Sequence, residues 1–205
     1  MITKKILKKT ITYKEYRNLI DELIHQNKTT GNNQNEQFVG FTKLNVHRMN
    51  RLDKTAKINP EFTQVVNNLS LNQIWVVITE AWCGDSAQLI PYMEKMAESS
   101  DGKIELSILF RDENPQLMEC FLTNSTRSIP KLLALDKQSL NPVFIWGPRP
   151  AAAQQIMLDY KANKDMMTWD EFELKLHQWY TVDGGKTTVK EISKILASEL
   201  KVLTH

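Results

Sequence analysis

Five consecutive apolar and mostly β-branched residues, Ile74-Trp75-Val76-Val77-Ile78, constrain this chain more than any other stretch. Such a run predicts a strand buried on both faces, since a half-exposed strand would alternate with polar residues. The run breaks at Trp82-Cys83-Gly84, and Asp85 to Ser99 then places Leu89, Tyr92, Met93 and Met96 at helical spacing. Cys83 therefore falls where a strand hands over to a helix N-terminus. Unpaired backbone N–H groups and the positive end of the helix dipole favour a thiolate there.

The 205-residue sequence has room for one substantial core, or one core with a helical appendage. A net charge of +2 gives no general case for nucleic acid or an anionic membrane as a partner. The basic start, Met1 to Lys9, is not followed by an apolar segment of the secretory kind, and no apolar run is long enough to span a bilayer. With two cysteines, Cys83 and Cys120, the expectation is a cytoplasmic protein whose thiols stay reduced. Four histidines, His25, His47, His177 and His205, have no paired metal-ligand spacing, so neither a metal nor another cofactor is expected. A Cys83–His177 pair has nothing in the sequence to support it.

Thr12-Tyr13-Lys14-Glu15 has capping-box form and opens a helix to about Gln26. Asn27 to Glu36 is polar and turn-forming and reads as a mobile surface loop. Leu44 to Ile58 reads as a helix with Val46, Met49, Leu52 and Ala56 inward and a solvated face carrying His47, Arg51 and Lys54. A short helix follows Pro60. Beyond the first strand and its helix come a strand at Lys103–Phe110, a proline-initiated helix at Asn114-Pro115, and strands at Lys131–Leu135 and Pro142–Trp146 that can pair antiparallel. Cys120 falls in the apolar pattern of the proline-initiated helix and is expected in the core. Gly147-Pro148-Arg149-Pro150 opens a helix to about Tyr160. Two more capping boxes, Thr168–Glu171 and Thr188–Glu191, open helices separated by Asp183-Gly184-Gly185, the last running to about Leu203. The order predicts an α/β fold with a small mixed sheet, flanked by helices at both ends.

Trp82-Cys83-Gly84 at a strand-to-helix junction, with Ser128-Ile129-Pro130 ahead of an apolar strand, resembles the thioredoxin-like superfamily. With Arg111-Asp112-Glu113-Asn114 and Trp146-Gly147-Pro148-Arg149-Pro150, the chain is similar to bacterial thioredoxin family proteins with added helices. The resemblance covers residues 71–162, leaving 1–70 as a helical N-terminal extension and 163–205 as a C-terminal one. It implies a cis-proline at Pro130 facing Cys83, and a role in cellular redox homeostasis. Two departures fall on the chemistry: Ser86 stands where dithiol thioredoxins place the resolving cysteine, and Val77 where they place a buried aspartate.

The resemblance thus implies a monothiol thiol–disulfide oxidoreductase. Cys83 is the nucleophile, Ser86 and the helix N-terminus stabilise its thiolate, and Asp85 opposes them by raising the thiol pKa. Trp82, Gly84, Ile129, Pro130 and Gly147 are expected to form an open substrate surface, on which Ile129 pairs with an extended peptide. Arg127 and Arg149 flank it and can contact a carboxylate, unless Arg149 is tied internally to Asp112 or Glu113. The expected partners are protein thiols or disulfides, or a small thiol such as glutathione; the oligomeric state is undetermined. The alternative is a non-catalytic peptide-binding module on the same fold. A lesser one is glutaredoxin-like binding of glutathione or an iron–sulfur cluster, since Cys83-Gly84-Asp85-Ser86 shares part of a monothiol glutaredoxin signature.

Overall fold

The computed structural model describes residues 2–202; Leu203, where the last helix was expected to end, and His205 lie outside the described residues. Strand β1 (Gln73–Thr79) lies at the centre of a four-stranded sheet of order β2-β1-β3-β4, with β2 at Ile104–Phe110, β3 at Lys131–Asp136 and β4 at Pro142–Trp146. β1 pairs parallel with β2 and antiparallel with β3, and β3 pairs antiparallel with β4. The parallel step needs a crossover, which an α-helix at Gly84–Glu98 supplies.

The apolar run in β1 has a direct cause in the packing. Trp75 and Val77 face one core, and Val76 and Ile78 face a second on the other side of the sheet; all four are fully buried. We number the helices α1 (Lys4–Leu7), α2 (Tyr13–His25), α3 (Glu36–Thr55), α4 (Pro60–Asn67), α5 (Gly84–Glu98), α6 (Pro115–Met118), α7 (Ala151–Ala162), α8 (Trp169–Asp183) and α9 (Lys186–Val202). The larger core gathers side chains from α2, α3, α4, α5, α7, α8 and α9. The smaller core is closed by Ile2, Leu117 and Met118, with Ile6 and Leu7 packed against it, and it contains Cys83. The N-terminal segment also extends the sheet, because Ile11 exchanges both backbone hydrogen bonds with Ile108 at the β2 edge.

Several local expectations hold. The capping boxes at Thr12–Glu15 and Thr168–Glu171 are formed, each with both reciprocal hydrogen bonds. His47, Arg51 and Lys54 are exposed. The third box does not form: α9 already starts at Lys186, Thr188 is buried inside it, and Glu191 instead accepts from Trp146 Nε1 at 2.9 Å and the Ala151 N–H at 2.8 Å. Residues 27–35 are not a free surface loop. Thr29 and Thr30 are buried, Thr30 Oγ1 accepts from the Ala81 N–H at 2.8 Å, and Gln34 bonds both backbone groups of Thr29. α3 consequently begins at an Asn35 cap, eight residues ahead of the position that periodicity suggested.

Cys120 is exposed, not a core residue. α6 ends after one turn and continues as a 3-10 turn at Glu119–Phe121. The tighter winding keeps Leu117 and Met118 inward but turns Cys120 outward with Gln116 and Glu119.

Candidate functional site at Cys83

Cys83 caps α5 from the end of β1 and is 8% exposed. Its Sγ lies 3.4 Å from the carbonyl oxygen of Ile129, to which the thiol donates, and the Ile129–Pro130 peptide is cis. Gly147 closes the far side. Its φ is +106°, and a Cβ there would lie 2.5 Å from the Pro130 carbonyl oxygen, so only glycine lets β4 approach the cis-proline so closely.

The thiol is neither exposed nor poised as a thiolate. Burial, followed by the Asp85 carboxylate, pushes it up to about 11, against the opposing pull of Ser86 hydrogen bonds and Arg149. Ser86 sits fully buried beneath it and accepts from Thr79 Oγ1 at 2.7 Å. Loss of water from the sulfur therefore outweighs the helix N-terminus.

Asp85 is buried and organises the elements around it. Its Oδ2 pairs with Arg149 Nη2 at 2.5 Å, and its Oδ1 accepts from Tyr180 Oη at 2.7 Å. Arg149 is thus tied internally, but to Asp85 and not to Asp112 or Glu113. Arg127 pairs with Glu119 at the surface, and Arg111 lies over the Trp82 ring with its Nε on Asp112.

Cys83 opens onto a half-open cavity of about 300 Å³. The site residues Trp82, Cys83, Gly84, Asp85, Arg127, Ile129 and Arg149 all line it, whereas Ser86, Pro130 and Gly147 support it from behind. Its walls come from residues that periodicity alone did not assign to a site. α3 supplies Phe38 and Phe41, with Phe38 edge-on to Trp82 at 4.8 Å between centroids. α8 supplies Trp169, Phe172, Glu173, Leu176 and His177. The capping box and apolar spacing of α8 were visible in the sequence; that its inner face meets Cys83 was not.

His177 seats on Gly84. A Cβ on Gly84 would lie 2.9 Å from His177 Nε2 and 3.2 Å from Arg48 Nη1, so α3 and α8 both close onto the first turn of α5 through a missing side chain. Gln88 Nε2 lies 3.2 Å from His177 Nδ1. Burial, reinforced by Arg48 and Arg149, pushes His177 down to about 3, so the imidazole is neutral. Glu80, just after β1, is fully buried, and its Oε1 accepts from the Asp112 N–H at 2.8 Å. Burial raises the pKa of this carboxyl. Among the described residues no group of histidine, cysteine and carboxylate side chains is arranged to hold a metal ion.

A strand-to-helix cysteine opposite a cis-proline, on a sheet of this order, defines a protein of the thioredoxin-like class. The family described as Thioredoxin matches residues 31–167, and the chain belongs to it. The match begins just before α3 and stops immediately before α8, so one wall of the cavity lies outside the matched region. No curated protein matches the chain. Among solved structures, an HIV epitope-scaffold superposes with a TM-score of 0.54 at 16% identity, covering 92% of this chain and 99% of that one. A protein of unknown function from Pseudomonas aeruginosa superposes with a TM-score of 0.51 at 14% identity, covering 95% and 98%. These likenesses establish the fold. Among the described residues no helix is long and apolar enough to cross a membrane.

Proposed function

We propose that this protein is a monothiol exchanger of the thioredoxin fold, acting through Cys83 on a disulfide that enters the cavity. The observation that carries the reading is the position of the Cys83 sulfur, at the α5 N-terminus and beside the cis Ile129–Pro130 peptide, in a residue that lines a cavity. The thiolate attacks one sulfur of the incoming disulfide, a mixed disulfide with Cys83 forms, and the other half leaves as a thiolate that takes up a proton. Ser86 cannot resolve the intermediate, and Cys120 lines a different cavity beside the N-terminal helix. A thiol from solution therefore attacks the mixed disulfide, regenerating Cys83 and releasing a new disulfide. Two free thiols suit a reducing compartment, and we place the protein in the cytoplasm on that ground.

A thiol pushed up to about 11 is ionised in only about one molecule in ten thousand at neutral pH. That observation favours a second reading, in which the cavity binds without turnover and Cys83 is a packed thiol. The two part on the pH dependence of disulfide exchange in a Cys120→Ala protein. The exchanger forms a mixed disulfide whose rate climbs tenfold per pH unit toward a midpoint near 11, and Cys83→Ser abolishes it. An absence of adduct at about pH 10, with the fold intact by circular dichroism, discards exchange and leaves binding.

A further inference from the structure

The walls of the Cys83 cavity restrict what can enter it. We propose that it takes a small disulfide or thiol built of an aromatic body and a carboxylate, and does not take a segment of polypeptide. The proposal rests on the reading of Cys83 as an exchanging thiol.

Size disfavours an extended chain. The cavity of about 300 Å³ stands at the small end of ligand sites, and residues of α3 and α8 share its lining with Ile129. Ile129 is buried and its carbonyl already accepts the Cys83 thiol. The walls favour a flat apolar body. Phe38 and Trp82 meet edge to face on one side, and on the other Trp169 and Phe172 have centroids 5.1 Å apart.

Among the charged groups Arg127 is the one open to a ligand. Arg149 is held by Asp85 and Arg111 by Asp112, whereas Arg127 lines the cavity in a pair at the surface. The Arg127–Glu119 pair is half exposed, so a ligand carboxylate can displace Glu119 at little cost.

The test uses the full-length Cys120→Ala protein with dithiobis-nitrobenzoate (aromatic, anionic), dithiodipyridine (aromatic, neutral), dithiodipropionate (aliphatic, anionic) and a disulfide-linked peptide. Each rate is divided by that of the same disulfide with mercaptoethanol. The expected result is saturable exchange, with a normalised preference of at least about tenfold for the aromatic dianion. Salt at ~0.5 M reduces that preference, and Arg127→Gln lowers it at least about threefold. Equal normalised rates, or a preference for the peptide, overturn the ligand class while exchange at Cys83 stands. If no disulfide reacts, exchange itself has failed, and the ligand class is read in Cys83→Ser from quenching of tryptophan fluorescence by nitrobenzoate. Saturable quenching that Arg127→Gln weakens supports the class, and linear collisional quenching overturns it.

Discussion

At the scale of single residues, Asp85 reinforces what burial does to its neighbour Cys83. Its charge adds to burial in holding the Cys83 thiol protonated, while Arg149 and Tyr180 hold Asp85 itself in place. Asp85→Asn removes the charge but keeps an acceptor for Tyr180. The alkylation midpoint of Cys83 is expected to fall from about 11, with the rate at fixed mildly alkaline pH rising about three- to tenfold. The same variant leaves Arg149 buried without its counter-ion and costs about 3 kcal/mol in urea denaturation. His177 gives a second signature. Its folded pKa of about 3 lies below the ordinary 6.5, so the unfolded chain binds a proton that the folded chain refuses between those values. Its contribution is complete above about pH 6.5 and is lost as pH falls toward 3. Relative to wild type, His177→Gln is expected to flatten the fall in unfolding free energy between those limits by about 1–2 kcal/mol. Parallel curves for the two proteins would show that the imidazole is solvated.

At the scale of elements, the site depends on two helices meeting a third. α8 reaches α5 through His177 on Gly84, Gln88 on His177 and Tyr180 on Asp85, and α3 reaches it through Arg48 beside the same glycine. Gly84→Ala puts a methyl group 2.9 Å from His177 Nε2 and 3.2 Å from Arg48 Nη1, so α8 and α3 must give way. The expected outcome is a loss of about 1–3 kcal/mol together with faster alkylation of Cys83, as α8 is lifted from the thiol. A loss of stability with unchanged alkylation would mean that α8 does not control access. The corner after α8 is built for this placement: Gly184 and Gly185 both have positive φ, and a side chain on Gly185 would enter the Tyr92 ring. Capping boxes and apolar spacing made α2 and α8 legible in the sequence, because capping is a local interaction. The failed box at Thr188 and the anchored loop at Thr29–Thr30 were not legible. Their partners, Trp146 and Ala151 for Glu191 and Ala81 for Thr30, are distant in sequence.

For the whole molecule, the extensions are structural parts of one core. Val189, Ile192 and Leu196 of α9 are almost fully buried with Trp75 and Val77 of the central strand, and Tyr16 and Ile20 of α2 join them. A chain ending at Met167, where the family match stops, would expose that surface. It is expected to lose cooperative unfolding and native near-ultraviolet circular dichroism, whereas the full chain unfolds in a single transition. A truncated chain with a sharp transition would show instead that the matched region folds alone.

The sequence by itself determined the succession of strands and helices, the cysteine at a strand-to-helix junction and the serine at position 86, since these follow from periodicity and short-range motifs, while the proline opposite the cysteine came from the resemblance to the thioredoxin-like superfamily. Only the tertiary structure decided how the cysteine behaves. The same helix N-terminus supports a thiolate when it faces water and a neutral thiol when α3 and α8 cover it. Cover is a property of residues such as Phe38 and His177, which lie far from Cys83 along the chain. Desolvation depends on everything packed around the sulfur, and no local pattern encodes that sum.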